Sequence, residues 1–176
     1  FLATLAPMID FSNKLVPLIE TPRAIDTVTQ IAAFKDVVGL FFGAADSSAS
    51  LGCKLAWEPL LYARQKVVLA AAMYNLFTID APFFYIDDKE GLKKEAEAVK
   101  NLGFTGKAAI HPDQIDFINE SFAPTSEEIA EGKKVLEEYQ KSGGGAVKID
   151  GQMVDEPIAE AMRLKISLGE EEENED

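Results

Sequence analysis

Four short apolar runs punctuate the first two thirds of this chain, and stretches with helical spacing separate them. That alternation admits few folds. The runs are 14–19 (Lys14-Leu15-Val16-Pro17-Leu18-Ile19), 37–42, 78–84 and 106–112. Helical spacing covers 22–34, where Pro22 suits a first turn and Ile25, Val28, Ile31 and Ala32 fall on one face. It returns over 59–75, and over 89–102 with Leu92, Ala96 and Val99 inward, Glu95, Glu97 and Lys100 outward, and Gly103 as the stop. The run at 37–42 is apolar throughout, as expected of a strand covered on both faces. Strands alternating with helices require a parallel sheet with right-handed crossovers, an α/β fold. The Gly/Ala/Ser-rich segment 43–52 reads as a loop.

Two carboxylates stand at equivalent places in this scheme. Glu20 follows the first run, and Asp46 lies just past the second in Gly43-Ala44-Ala45-Asp46. Chemistry in parallel α/β folds collects beyond the carboxyl ends of the strands. Two hard oxygen donors converging there suit Mg2+, which keeps several waters and takes few protein ligands. The competing reading is that both acids merely cap helices at strand–helix junctions.

Composition narrows the class further. Hydrophobic residues make up 47% of the 176, enough for a substantial core, and no apolar stretch is long enough to span a bilayer. The single Cys53 excludes an intrachain disulfide framework and reads as packing in a reducing compartment. Net charge is −13, but six of the negatives sit in the last seven residues, Glu170 to Asp176, leaving about −7 for the remainder. That balance argues against a nucleic-acid footprint, and the acidic tail (169–176) reads as disordered.

From 113 onward the rhythm stops. A short helix fits 114–120. A charged helix fits 126–141, with Thr125 or Ser126 as cap, acids early and lysines late. Gly143-Gly144-Gly145 reads as a hinge or tight turn. A hairpin follows over 146–154 with Asp150-Gly151 at its tip, then a helix over 157–167. Residues 1–13 read as the end of a preceding element. The chain therefore divides into 1–124, an extension 125–168 and the tail.

Four motifs carry a family resemblance: Pro17-Leu18-Ile19-Glu20-Thr21; Gly43-Ala44-Ala45-Asp46 with Leu51-Gly52; Gly106-Lys107-Ala108-Ala109-Ile110-His111-Pro112-Asp113-Gln114; and Gly151-Gln152-Met153-Val154-Asp155-Glu156-Pro157. Together they resemble the citrate lyase β-subunit-like branch of the HpcH/HpaI aldolase family, in order and spacing. The resemblance implies a (β/α)8 TIM barrel of which this chain supplies strands 5–8 plus a C-terminal extension, the first half of the barrel being absent. It implies Mg2+ and cleavage or formation of a C–C bond between an acyl-CoA and a 2-oxo acid, with malyl-CoA, citramalyl-CoA or citryl-CoA as the substrate type. It implies a homo-oligomer, a trimer or hexamer, or else a partner that supplies the N-terminal half-barrel.

Residue by residue, the resemblance makes Glu20 and Asp46 the metal ligands. It makes Asp155 the acid that handles the acetyl-CoA methyl proton in a neighbouring subunit; the plainer reading of Asp155 is a loop acid before a helix. Gly43, Ala44 and Ala45 form a small-residue loop whose backbone N–H groups can approach a substrate carboxylate. Thr21 either adds a hydroxyl to that anion or caps the helix after it. His111, the only histidine, is either a ligand contact or a hydrogen-bonded structural residue. Asp80 stands in register with the other strand-end acids as a secondary candidate, to orient a positive group or a backbone amide, and Glu156 reads as solvated charge. The family's arginine from an early strand has no counterpart, since Arg23, Arg64 and Arg163 all lie in helical stretches. Two other readings stay open: an aldolase cleaving 4-hydroxy-2-oxo acids without CoA, and a half-barrel serving as an assembly module. The expected location is the cytoplasm, or the mitochondrial matrix in a eukaryote, with no membrane and no nucleic acid as partner.

Overall fold

The computed structural model describes residues 14–143 and 145–172, with Lys165 and 168–172 described for their backbone only. The reading of 1–13, part of the triple glycine and the end of the acidic tail lie outside the described residues. The chain splits into two compact units, Phe1–Phe122 and Ala123–Asp176, each with its own apolar core.

The first unit is a four-stranded parallel sheet in the order β1-β2-β3-β4. The strands are β1 (Leu18–Ile19), β2 (Gly39–Phe42), β3 (Phe77–Asp80) and β4 (Gly106–Lys107). Register sets Ile19 beside Phe42, Phe41 beside Ile79, and Asp80 beside Lys107. Helices α1 (Pro22–Asp26), α2 (Val28–Ala32), α3 (Ala44–Leu51), α4 (Trp57–Ala72), α5 (Lys89–Leu102) and α6 (Ile115–Phe122) make the connections. Ile19, Leu40 and Phe42 from the strands and Leu60, Val67 and Val99 from the helices are fully buried in one core.

Several elements differ from the sequence expectation, each for a local reason. The helix expected over 22–34 breaks at Thr27, whose hydroxyl donates to the Arg23 carbonyl (2.8 Å) and whose backbone (φ −100°, ψ 17°) leaves the helical region. The strand expected over 78–84 stops at Asp80, just ahead of Pro82, which has no N–H to give a ladder. The strand expected over 106–112 ends at Lys107, so His111 sits on a loop rather than at a strand end. Segment 43–52 is a helix, not a loop. Gly43 precedes it in extended backbone, alanines favour it, and Gly52 closes it in the left-handed conformation (φ 67°).

In the second unit, α7 (Ser126–Lys141) begins with a capping box. Thr125 Oγ1 accepts from the Glu128 N–H, and Glu128 accepts from the Thr125 N–H. Strands β5 (Val147–Ile149) and β6 (Gln152–Val154) form an antiparallel hairpin whose turn residues, Asp150 and Gly151, both have positive φ (47° and 90°). That is the conformation a two-residue hairpin turn demands. The last helix, α8 (Glu156–Glu172), runs into the first residues of the segment read as a tail. Val135, Tyr139, Ile149, Val154 and Ala159 form the core of this unit.

Candidate metal and substrate site

The alternation of side chains along a strand decides which strand-end residues can meet. Glu20 lies two residues beyond Leu18, and Gly43 two beyond Phe41, so both share one face of the sheet. The approach is close: a Cβ on Gly43 would stand 2.6 Å from Glu20 Cβ, 3.0 Å from Glu20 Oε2 and 3.4 Å from Leu18 Cδ1. Only glycine fits there. Asp46 follows in the first turn of α3, where the helix dipole favours a negative charge. It is exposed, and Glu20 is half-buried.

The two carboxylates are electrostatically coupled. The Glu20 carboxyl is held above its ordinary value, first by burial and then by the Asp46 carboxylate, through its charge and as a hydrogen-bond partner. A cation offsets both the burial and the repulsion that keep such an acid from ionising. Among the described residues no three His, Cys, Asp or Glu side chains form a cage, so the donor set is two carboxylates with remaining positions for water and substrate. That suits Mg2+, with its hard oxygen ligands and retained waters, and does not suit Zn2+. Glu20 and Asp46 fit the ion the sequence implied.

Other candidates separate from this pair. Thr21 caps α1, its hydroxyl accepting from the Ala24 N–H at 3.2 Å. Ala44 is buried and Ala45 half-buried at the start of α3, so small side chains there keep the helix start low beside Glu20. The His111 ring caps a 3-10 turn, Pro112–Gln114, with Nδ1 accepting from the Asp113 N–H at 3.2 Å. Asp155, in the second unit, caps α8: its Oδ1 accepts from the Ile158 N–H at 3.4 Å and its carbonyl from the Ala159 N–H at 2.9 Å. Beside it, Glu156 is exposed, as expected, and is also paired. It accepts from the Tyr139 hydroxyl (3.1 Å) and from Arg163 Nη1 (2.7 Å), and Arg163 first, then Tyr139, hold its carboxyl below the ordinary value.

Asp80 does orient positive groups, but away from the metal pair. It is in register along the sheet, but its side chain turns with Thr78 to the opposite, helix-covered face and is fully buried. There it receives Arg64 Nε at 2.8 Å and Lys107 Nζ at 2.9 Å. Lys107 also donates to the Ala81 carbonyl (2.7 Å) and to Glu95 Oε1 (2.7 Å), so Glu95 turns into this network rather than outward. Sequence reasoning missed the cluster because its members come from four different elements. Gln114, also missed, is buried and ties two loops at the same end of the sheet, accepting from the Ile110 N–H (3.0 Å) and donating to the Phe83 carbonyl (2.9 Å). Its place at the end of the motif running from Gly106 to Gln114 was the available signal. A cavity of about 40 Å³, lined among others by Ala44, Leu55, Arg64, Phe83 and Tyr85, lies beside the start of α3.

Comparison with known proteins follows the same lines. The sequence profile of the HpcH/HpaI aldolase/citrate lyase family matches residues 11–112. The chain is 35% identical over 159 residues to citrate lyase subunit beta of Haemophilus influenzae, covering 87% of this chain and 55% of that one. It is 32% identical over 171 residues to the mitochondrial citramalyl-CoA lyase of Rattus norvegicus, covering 88% of this chain and 50% of that one. The crystal structure of CitE from Mycobacterium tuberculosis in complex with magnesium, acetoacetate and coenzyme A superposes with a TM-score of 0.81 at 30% identity, over 89% of this chain and 61% of that one. The parallel sheet and its helices thus match part of a citrate lyase β-type fold. The chain spans about half the length of the curated relatives it matches.

Proposed function

Because the chain belongs to the HpcH/HpaI aldolase/citrate lyase family, we propose that it carries the metal-binding part of an acyl-CoA lyase that breaks or forms the C–C bond between an acetyl-CoA unit and a 2-oxo acid. The observation that carries this reading is the close approach of Glu20 to Gly43, the residue that opens the helix bearing Asp46, at the carboxyl end of the sheet. A relative at 30% identity is crystallised with magnesium, an oxo acid and coenzyme A together. On this reading the four strands are strands 5–8 of a TIM barrel, which the absent half would complete.

Bound between Glu20 and Asp46, Mg2+ would supply Lewis-acid stabilisation of negative charge on the oxo-acid oxygen. Glu20 and Asp46 would hold the ion, and the small residues Gly43, Ala44 and Ala45 leave room for the substrate carboxylate near their N–H groups. In the cleavage direction the substrate hydroxyl gives its proton to solvent and becomes the carbonyl of the oxo acid. The electron pair of the broken C–C bond passes to the α-carbon of the thioester. That carbon then takes a proton and leaves as acetyl-CoA. Asp155 is assigned the proton exchange at this carbon, acting in a neighbouring copy of the chain.

The test is acetyl-CoA release from malyl-CoA and citramalyl-CoA by the chain joined to the half that completes its barrel, with and without Mg2+. Loss of activity with EDTA and in Glu20→Gln is expected. Activity indifferent to both overturns the metal assignment, and cleavage of a 4-hydroxy-2-oxo acid without CoA favours the aldolase reading. Mixing inactive Glu20→Gln chains with inactive Asp155→Asn chains tests the assignment in trans: recovery of part of the activity is expected, and none excludes it.

A further inference from the structure

The buried charges on the helix-covered face of the sheet touch neither Glu20 nor Asp46, yet one of them lies against the strand end that bears the second carboxylate. Arg64, on α4, is 3% exposed. Its Nε donates to Asp80 Oδ1 at 2.8 Å and its Nη2 to Asp80 Oδ2 at 3.4 Å, a forked grip on one carboxylate. Its guanidinium carbon lies 5.2 Å from the centre of the Phe42 ring and 4.8 Å from that of Trp57. Phe42 is the last residue of β2 and the one immediately before Gly43. Arg64 and Ala44 line the same cavity.

The arrangement is costly as pure stabilisation. Four charges, Arg64, Asp80, Lys107 and Glu95, are wholly or partly withdrawn from water and balance to zero. Arg64 Nη1 is buried with no hydrogen-bond partner among the described residues. A buried network of this kind adds little over well-packed apolar groups, and an unpaired buried donor is destabilising. What it provides is geometry. Asp80 is anchored by Lys107 from the neighbouring strand, Arg64 is anchored by Asp80, and the flat guanidinium presses on Phe42.

We propose that Arg64 is a positioning residue for the metal-bearing segment Gly43–Asp46, holding the carboxyl end of β2 at the height where Asp46 meets Glu20. This rests on the reading of Glu20 and Asp46 as metal ligands. Lysine at this position keeps the charge opposite Asp80 but has neither the fork nor the flat face. Groups that orient metal ligands from behind are worth 10–100-fold in metal affinity.

The experiment is Mn2+ binding to the full chain by electron paramagnetic resonance, read beside the urea unfolding midpoint, for the wild type, Glu20→Gln, Arg64→Lys and Trp57→Leu. Arg64→Lys is expected to weaken Mn2+ binding about tenfold or more. Trp57→Leu, which removes one stacking partner and no charge, is expected to weaken it several-fold. A purely structural role lowers the unfolding midpoint and leaves the Mn2+ affinity alone, so wild-type affinity in either folded variant overturns the proposal. If Arg64→Lys does not fold, Trp57→Leu decides by the same criterion. Absence of any wild-type Mn2+ binding that Glu20→Gln removes defeats the metal reading itself, a different result from unchanged affinity in the Arg64 and Trp57 variants.

Discussion

At the scale of single residues, the site depends on what is absent from position 43. A methyl group there would overlap Glu20 Cβ, which no rotation of the Glu20 side chain can move aside. Gly43→Ala is therefore expected to displace Glu20 and weaken Mn2+ or Mg2+ binding at least tenfold, measured by calorimetric titration; unchanged affinity would show that Glu20 has room to adjust. The Glu20–Asp46 pair also links stability to pH. Because the folded state raises the Glu20 carboxyl above its ordinary value, the native chain binds the proton more tightly than the unfolded chain does. That contribution is complete below the ordinary carboxylate pKa and is lost as pH rises through the folded one. At neutral pH the metal-free chain thus carries a repulsion that Glu20→Gln removes. The variant is expected to be as stable as the metal-free wild type or more so, by no more than about 1 kcal/mol given the solvent exposure. Added Mg2+ should raise the melting temperature of the wild type only. The acids and the glycine were legible in the sequence as residues past the ends of apolar runs. Their coupling was not, because it depends on both lying on one face of the sheet.

At the scale of elements, local signals were read well wherever the chain's own neighbours decide the outcome. The helix over 89–102 has the expected bounds, with Asp88 as its cap, accepting from the Gly91 N–H at 2.9 Å, and Gly103 in left-handed backbone (φ 106°) as its end. The helix over 126–141 likewise begins at its capping box. Thr125→Ala is expected to cost about 1 kcal/mol of stability, seen as a lower urea midpoint, because it strands the Glu128 N–H in the first turn. The misreadings have a common cause. Alanine and serine after glycine look like a loop when no apolar periodicity is present, yet 44–51 is helical because alanine favours it and packing covers Ala44, Ser47 and Ser48. Strand lengths were overestimated because apolar residues continue past the last ladder bond. The Asp80 cluster shows tertiary override most plainly, since Glu95 was expected to face solvent and instead accepts from Lys107. Asp80→Ala, which leaves Arg64 and Lys107 without their shared carboxylate, is expected to destabilise the chain by about 3–5 kcal/mol in urea unfolding. A shift below about 1 kcal/mol would mean that water reaches the cluster.

At the scale of the whole molecule, the strand order leaves the outer edges of β1 and β4 without a strand partner among the described residues. Open edges recruit other strands. Light scattering is accordingly expected to report a mass above the 19.2 kDa of a single chain, and a compact monomer would count against open edges in solution. The described residues contain no helix long and apolar enough to cross a membrane. By itself, the sequence determined the parallel α/β class, the two carboxylates past consecutive strands, the hairpin turn at Asp150-Gly151 and the family, all of which follow from order and spacing along the chain. Only the tertiary structure decided which strand-end acid faces the site and which faces the helices. It alone joined Arg64, Asp80, Glu95 and Lys107, and it alone turned Glu156 toward Tyr139 and Arg163. The physical reason is that propensity and periodicity act over a few neighbouring residues. Burial, ion pairing and the pleat of paired strands instead join residues far apart in the chain, and their outcome exists only once the sheet has formed.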